Sequence, residues 1–113
     1  MMTSHLTTHV LDASAGRPAA GIAVLLERRD PSGWTEVATG TTNADGRIGD
    51  LGPERLTSGT YRLTFAVAEY FAATETPTFY PEVTVTFAVD EGQKHYHVPV
   101  LLSPFAYSTY RGS

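Results

Sequence analysis

Cysteine is absent from this sequence, which removes disulfide frameworks, thiolate zinc sites and cysteine nucleophiles together. Lysine is nearly absent as well. Lys94 stands alone, and eight basic residues against twelve acidic ones leave a net charge of −4 with histidine neutral. So little positive charge makes no stripe for neutralising phosphates, and no nucleic acid is expected as a partner. Long apolar runs are missing too: the stretch from Pro18 to Leu26 falls far short of the ~20 residues that cross a bilayer, so no membrane partner is expected. Met1 to His5 offers neither the basic start nor the apolar run of a secretory leader. Arg111-Gly112-Ser113 matches no peroxisomal or retention address, and a cytoplasmic protein is expected.

What remains is a chain of 113 residues, 42 % of them apolar, enough for one packed domain spanning residues 1–113. Sixteen threonines and nine valines favour strands. Alternation with period two recurs. Ile22, Val24 and Leu26 share a face, as do Tyr61, Leu63, Phe65 and Val67, then Val83, Val85, Phe87 and Val89, then Tyr96, Val98, Val100 and Leu102. Leu6 to Asp12 and Thr35 to Thr42 read as weaker strands, and a last one runs from Phe105 or Ala106 to Tyr110. Asp30-Pro31-Ser32-Gly33, Asn43-Ala44-Asp45-Gly46, Asp90-Glu91-Gly92 and Ser103-Pro104 supply turns and breaks. Pro99 has no N–H for a ladder, which puts its strand near an edge or bulge at that point. Only Glu69 to Thr74 breaks the β pattern, as a short helix stopped by Pro77. The fold class is therefore all-β: an antiparallel β-sandwich of about eight strands with one short helix.

Chemistry concentrates in a few side chains. Alternation sets His9 opposite Leu6, Thr8 and Val10, and sets His95 and His97 together opposite Tyr96, Val98 and Val100. In a sandwich those imidazoles belong to the outer faces. Two readings stand: solvated surface histidines, or a His-x-His zinc pair completed by His9, His5 or a carboxylate. Arg47, after the Asp45-Gly46 turn, reads either as a solvated loop residue or as a fixed cation for an anionic or enolate-like ligand. The last ten residues hold Phe105, Tyr107, Tyr110 and Arg111, which read either as an ordinary last strand with two tyrosines facing solvent or as an exposed aromatic row of the kind that more often marks an interface or a site. No Gly-x-Ser-x-Gly elbow and no phosphate-binding glycine loop is present.

Five segments taken in order carry a resemblance: Thr8-His9-Val10-Leu11-Asp12, Asn43-Ala44-Asp45-Gly46-Arg47, Phe79-Tyr80-Pro81-Glu82-Val83, His95-Tyr96-His97-Val98-Pro99 and Tyr110-Arg111-Gly112-Ser113. Together they resemble the 5-hydroxyisourate hydrolases, the transthyretin-related proteins of purine catabolism. The resemblance implies a transthyretin-like (prealbumin-like) sandwich assembled as a homotetramer, a dimer of dimers. Its active sites would lie in a channel between dimers, walled by outer-face residues and C-terminal strands, with the carboxyl end of a neighbouring subunit taking part. The implied reaction opens 5-hydroxyisourate at an amide-type C–N bond, giving 2-oxo-4-hydroxy-4-carboxy-5-ureidoimidazoline, with no cofactor and no metal. It assigns His9, Arg47, His97 and Ser113 as catalytic, with His9, Arg47 and Tyr110 binding substrate. His9 and His97 would share water activation and proton delivery, since an imidazole with pKa about 6.5 can do either near neutrality. Ser113 would present its hydroxyl or a terminal carboxylate. Transthyretin, the hormone-carrying relative, lacks the Tyr-Arg-Gly-Ser motif and replaces the histidine and arginine positions of the channel.

Overall fold

The computed structural model describes residues 3–113, so Met1 and Met2, part of the reading against a leader, lie outside the described residues. These form nine strands and one helix: β1 (Leu6–Asp12), β2 (Arg17–Pro18), β3 (Ala23–Asp30), β4 (Gly33–Thr41), β5 (Arg47–Ile48), β6 (Gly59–Phe65), α1 (Val67–Ala72), β7 (Val83–Val89), β8 (Tyr96–Ser103) and β9 (Ala106–Thr109). One sheet has the order β4-β3-β6-β7; the other has the order β2-β1-β8-β9, with β5 also paired to β1. Two of the nine strands are two residues long, which leaves seven full strands where alternation predicts about eight. No helix among the described residues is long and apolar enough to cross a membrane.

The ladders are antiparallel except one: β1 and β8 run parallel, with Leu6 to Asp12 opposite Tyr96 to Leu102. Parallel neighbours need a long crossover. Here almost the whole domain lies between the two strands, which is why the sequence around either gives no hint of the pairing.

The apolar rows read from the sequence form the core. Leu6, Val10, Tyr96, Val98, Val100 and Leu102 from one sheet meet Val24, Leu26, Tyr61, Leu63 and Phe65 from the other, all buried. Each such aliphatic or Phe side chain contributes about 1.5–3 kcal/mol on burial. The opposite face of β1 and β8 is thereby left outside the core, and its residues Thr7, His9 and Leu11 are half-buried.

The helix starts at Val67, two residues before the predicted Glu69, and ends at Ala72. Val67 and Phe71 are both buried. Val67 stands two residues beyond Phe65 and four before Phe71, so it satisfies both the strand period and the helix period. That double fit explains its reading as the end of β6. The predicted Asp30–Gly33 hairpin joins β3 to β4, with Asp30 accepting hydrogen bonds from the Ser32 N–H at 2.8 Å and the Ser32 hydroxyl at 2.7 Å.

Candidate active site

Pairing brings distant residues into two rows across the outer face of the β1–β8 sheet. His9 lies opposite Pro99 on β8 and opposite Arg47 on β5. Thr7 lies opposite His97. Paired residues point to the same side of a sheet, so Arg47, His9 and Pro99 make one row and Thr7 and His97 the next.

Arg47 reaches its place through the turn before it. The Asn43 side-chain carbonyl accepts from the N–H groups of Asp45 (2.9 Å) and Arg47 (3.0 Å), and the Asn43 N–H donates to the Arg47 carbonyl at 3.0 Å. Gly46, at φ 74°, presses against β1: its carbonyl accepts the Val10 N–H at 2.7 Å, and an added Cβ would collide with the Val10 carbonyl oxygen. Glycine is required for both the positive φ and the close approach. Arg47 therefore sits on a short strand anchored to β1, with an exposed side chain.

The tail arrives from the other side. β9 pairs with β8 from Ser103↔Ala106 to Val100↔Thr109, where the ladder stops at Pro99, as the missing N–H requires. The Thr109 hydroxyl donates to the Pro99 carbonyl at 2.8 Å. Carried three residues further, the same register sets Gly112 opposite His97, and there the Gly112 N–H donates to the His97 carbonyl at 2.8 Å. A Cβ at Gly112 would stand 2.6 Å from Cδ2 of His97. The tail backbone thus lies directly against the imidazole.

A cavity of about 270 Å3 opens where these elements meet, lined by Thr7, Arg47, Ile48, Gly49, His95, His97 and Ser113. Of the expected site residues, Arg47, His97 and Ser113 converge here within one chain, so the carboxyl end lining this cavity is the chain's own. His9 flanks the cavity through its pairing with Arg47. Tyr110, 59 % exposed, instead lines a second cavity of about 370 Å3 shared with His97, Tyr96, Val85, Phe87 and Arg111. That larger space is mostly apolar; the smaller one holds the guanidinium, both members of the His-x-His pair and two hydroxyls.

His97 is held below the usual histidine range, first by burial and then by the neighbouring Arg47 guanidinium and the His9 and His95 imidazoles; a hydrogen bond with the Thr7 backbone opposes the shift. It is therefore neutral at pH 7, with a lone pair available. The Thr7 hydroxyl lies 2.8 Å from Nδ1 of His97 and 2.9 Å from Nε2 of His95. Thr7 has no prominence in the sequence; the signal available was its period-two relation to His9, which gave no hint of what it faces. The neighbouring nitrogens of His95 and His97 are thus turned to a shared hydroxyl, and among the described residues no three His, Asp or Glu side chains are grouped to hold a metal ion. His5, the other suggested zinc ligand, is buried: the Leu56 N–H donates to its Nδ1 at 2.9 Å, and its Nε2 lies 2.7 Å from the Gln93 carbonyl. Both ring nitrogens being taken, His5 is a structural pin, and its candidacy as the third ligand beside His95 and His97 is withdrawn.

A model of the HIUase/Transthyretin family matches residues 6–112. The 5-hydroxyisourate hydrolase of Deinococcus radiodurans is 48 % identical over 119 aligned positions, covering 99 % of this chain and 100 % of that protein. Among solved structures, Klebsiella pneumoniae 5-hydroxyisourate hydrolase superposes with a TM-score of 0.86 at 37 % identity, covering 97 % of this chain and 100 % of that one. Transthyretin from Sparus aurata superposes with a TM-score of 0.90 at 35 % identity, covering 96 % of each. The backbone alone does not separate enzyme from carrier, whereas shared ancestry with both is plain: the chain belongs to the HIUase/Transthyretin family.

Proposed function

We propose that this chain hydrolyses 5-hydroxyisourate to 2-oxo-4-hydroxy-4-carboxy-5-ureidoimidazoline in urate degradation, without a cofactor and without a metal. The observation that carries the reading is the 270 Å3 cavity in which Arg47, His97 and Ser113 meet beside His9. Fold similarity is equally good to a hormone carrier, so function rests on the site.

Opening an amide-type C–N bond requires a water made nucleophilic, a proton for the leaving nitrogen and fixed charge for the developing oxyanion. A neutral His97 suits the first task, and proton transfer of this kind contributes typically 10²- to 10⁴-fold. His9, on the adjacent strand, shares proton delivery with it. Arg47 offers a planar fork of donors on an anchored strand, where charge can be met without reorganisation. The Ser113 hydroxyl orients the ring from within the cavity, and Tyr110 binds it from the adjoining cavity that shares His97.

The assembly we propose is a homotetramer, a dimer of dimers, in the cytoplasm, with the site facing a channel between dimers. Its support is the exposure of Leu101, Phe105, Tyr107 and Tyr110 at and beside the outer face, since solvent-facing apolar groups gathered together mark interfaces.

The test is ultraviolet absorbance. Substrate made in place by urate oxidase decays spontaneously; purified protein is expected to accelerate that decay, before and after EDTA treatment. An unchanged decay rate refutes the hydrolase, and if thyroxine then binds tightly the carrier reading replaces it.

A further inference from the structure

We propose that Thr7 and His95 are positioning residues that hold His97 with its proton on Nδ1, leaving Nε2 bare as the nitrogen that takes a proton from water. The inference rests on the hydrolase reading of the site and says which nitrogen works.

The geometry contains one hydroxyl between two rings. Thr7 Oγ1 lies 2.8 Å from His97 Nδ1 and 2.9 Å from His95 Nε2, the two polar groups within its reach among the described residues. A hydroxyl carries one proton and two acceptor lone pairs. If both rings donated to it, its own proton would have no partner within the protein. It therefore donates to one ring and accepts from the other, and the two arrangements are opposite. In one, Thr7 donates to His97 Nδ1, so neutral His97 carries its proton on Nε2. In the other, His97 Nδ1–H donates to Thr7, Thr7 donates to His95 Nε2, and Nε2 of His97 is bare.

Three features select the second arrangement. His95 is exposed, so its remaining Nδ1–H is satisfied by water. His97 is half-buried, so an N–H on its inner nitrogen needs a protein acceptor, and Thr7 is placed to be one. The positive group that lines the same cavity as the imidazole, and depresses its pKa, is Arg47. A bare lone pair is stabilised by a nearby guanidinium, whereas an N–H aimed at it is repelled. On the tail side the Gly112 backbone lies beside Cδ2 of the ring, leaving no room even for a Cβ. When Nε2 takes the proton, the Nδ1–H bond to Thr7 becomes a charge-assisted one and stabilises the imidazolium, as a carboxylate does behind the histidine of a serine protease.

The protein without substrate provides the first readout. In ¹⁵N NMR of the imidazoles at pH 7, His97 is expected as the Nδ1–H form and His95 with its Nε2 accepting. Thr7→Val, close in shape and lacking the hydroxyl, is expected to move His97 to the Nε2–H form and to lower kcat roughly 10- to 100-fold with KM little changed. Thr7→Ser is expected to restore both the tautomer and the rate. A wild-type His97 protonated on Nε2 overturns the proposal, and so does a Thr7→Val protein that keeps the tautomer and the rate. Should Thr7→Val not fold, the wild-type tautomer and the Thr7→Ser rate decide alone. Wild-type protein that leaves the substrate's decay unchanged refutes the hydrolase reading instead, which separates the two failures.

Discussion

Replacing Gly112 by alanine adds one methyl group at the point where the tail meets the imidazole. The new Cβ would stand 2.6 Å from Cδ2 and 3.2 Å from both Cβ and Cγ of His97. Carbon atoms at rest lie ~3.5–4.0 Å apart, so ring or tail must move by about 1 Å. The ring is tied to Thr7 on its other side, and the tail is an exposed edge held here by the Gly112 N–H to the His97 carbonyl. The tail therefore yields, and Ser113 leaves the cavity with it. A displacement of about 1 Å among reacting groups reduces rate by roughly 10²-fold, equivalent to about 2.7 kcal/mol of barrier. Folding should suffer less, because the core is untouched and one hydrogen bond is lost, about 0.5–1.5 kcal/mol. Gly112→Ala is thus expected to melt within several degrees of wild type while losing most of its hydrolysis in the coupled absorbance assay. A variant within about threefold of the wild-type rate would refute the claim that this backbone contact sets the geometry of the site.

Three further outcomes follow from His97 and His5. Because His97 is held below the ordinary pKa of 6.5 by burial and by Arg47, His9 and His95, kcat/KM should fall on acidification with its midpoint below 6.5; a midpoint at or above 6.5 in the pH–rate profile would contradict the assignment. The same shift makes the unfolded chain bind the proton first, so the His97 contribution to stability is complete above pH 6.5 and shrinks on acidification. His5→Ala strands the Leu56 N–H and the Gln93 carbonyl and empties a buried site, so a loss of roughly 2–5 kcal/mol is expected in denaturant titration, with the kcat of the folded fraction preserved.

Much of the sandwich was legible because burial of one face imposes period two. The rows Tyr61-Leu63-Phe65 and Tyr96-Val98-Val100-Leu102 name their own inward sides, and the outward placement of His9 and His97 follows by parity. Partner choice was not legible. Nothing local to Leu6–Asp12 announces β8 as its parallel neighbour, so Thr7 gave no sign that it would bridge two imidazoles. β5 was hidden for a related reason: two residues carry no period, and Arg47 becomes a strand residue only because Gly46 fits against Val10. His5 shows the limit of parity. It precedes β1, and the Leu56 and Gln93 loops fold over it, so its environment is set by loops rather than by alternation.

The adjacency of β1 and β8 has a temporal meaning. The row that holds Thr7 next to His97 joins residues ninety positions apart, and a contact of that span is made only after the intervening chain has been ordered. On a ribosome, none of the intended chemistry exists until the eighth strand has left the exit tunnel. In a refolding experiment, recovered turnover should lag behind the fluorescence change of Trp34, which belongs to the local β3–β4 hairpin.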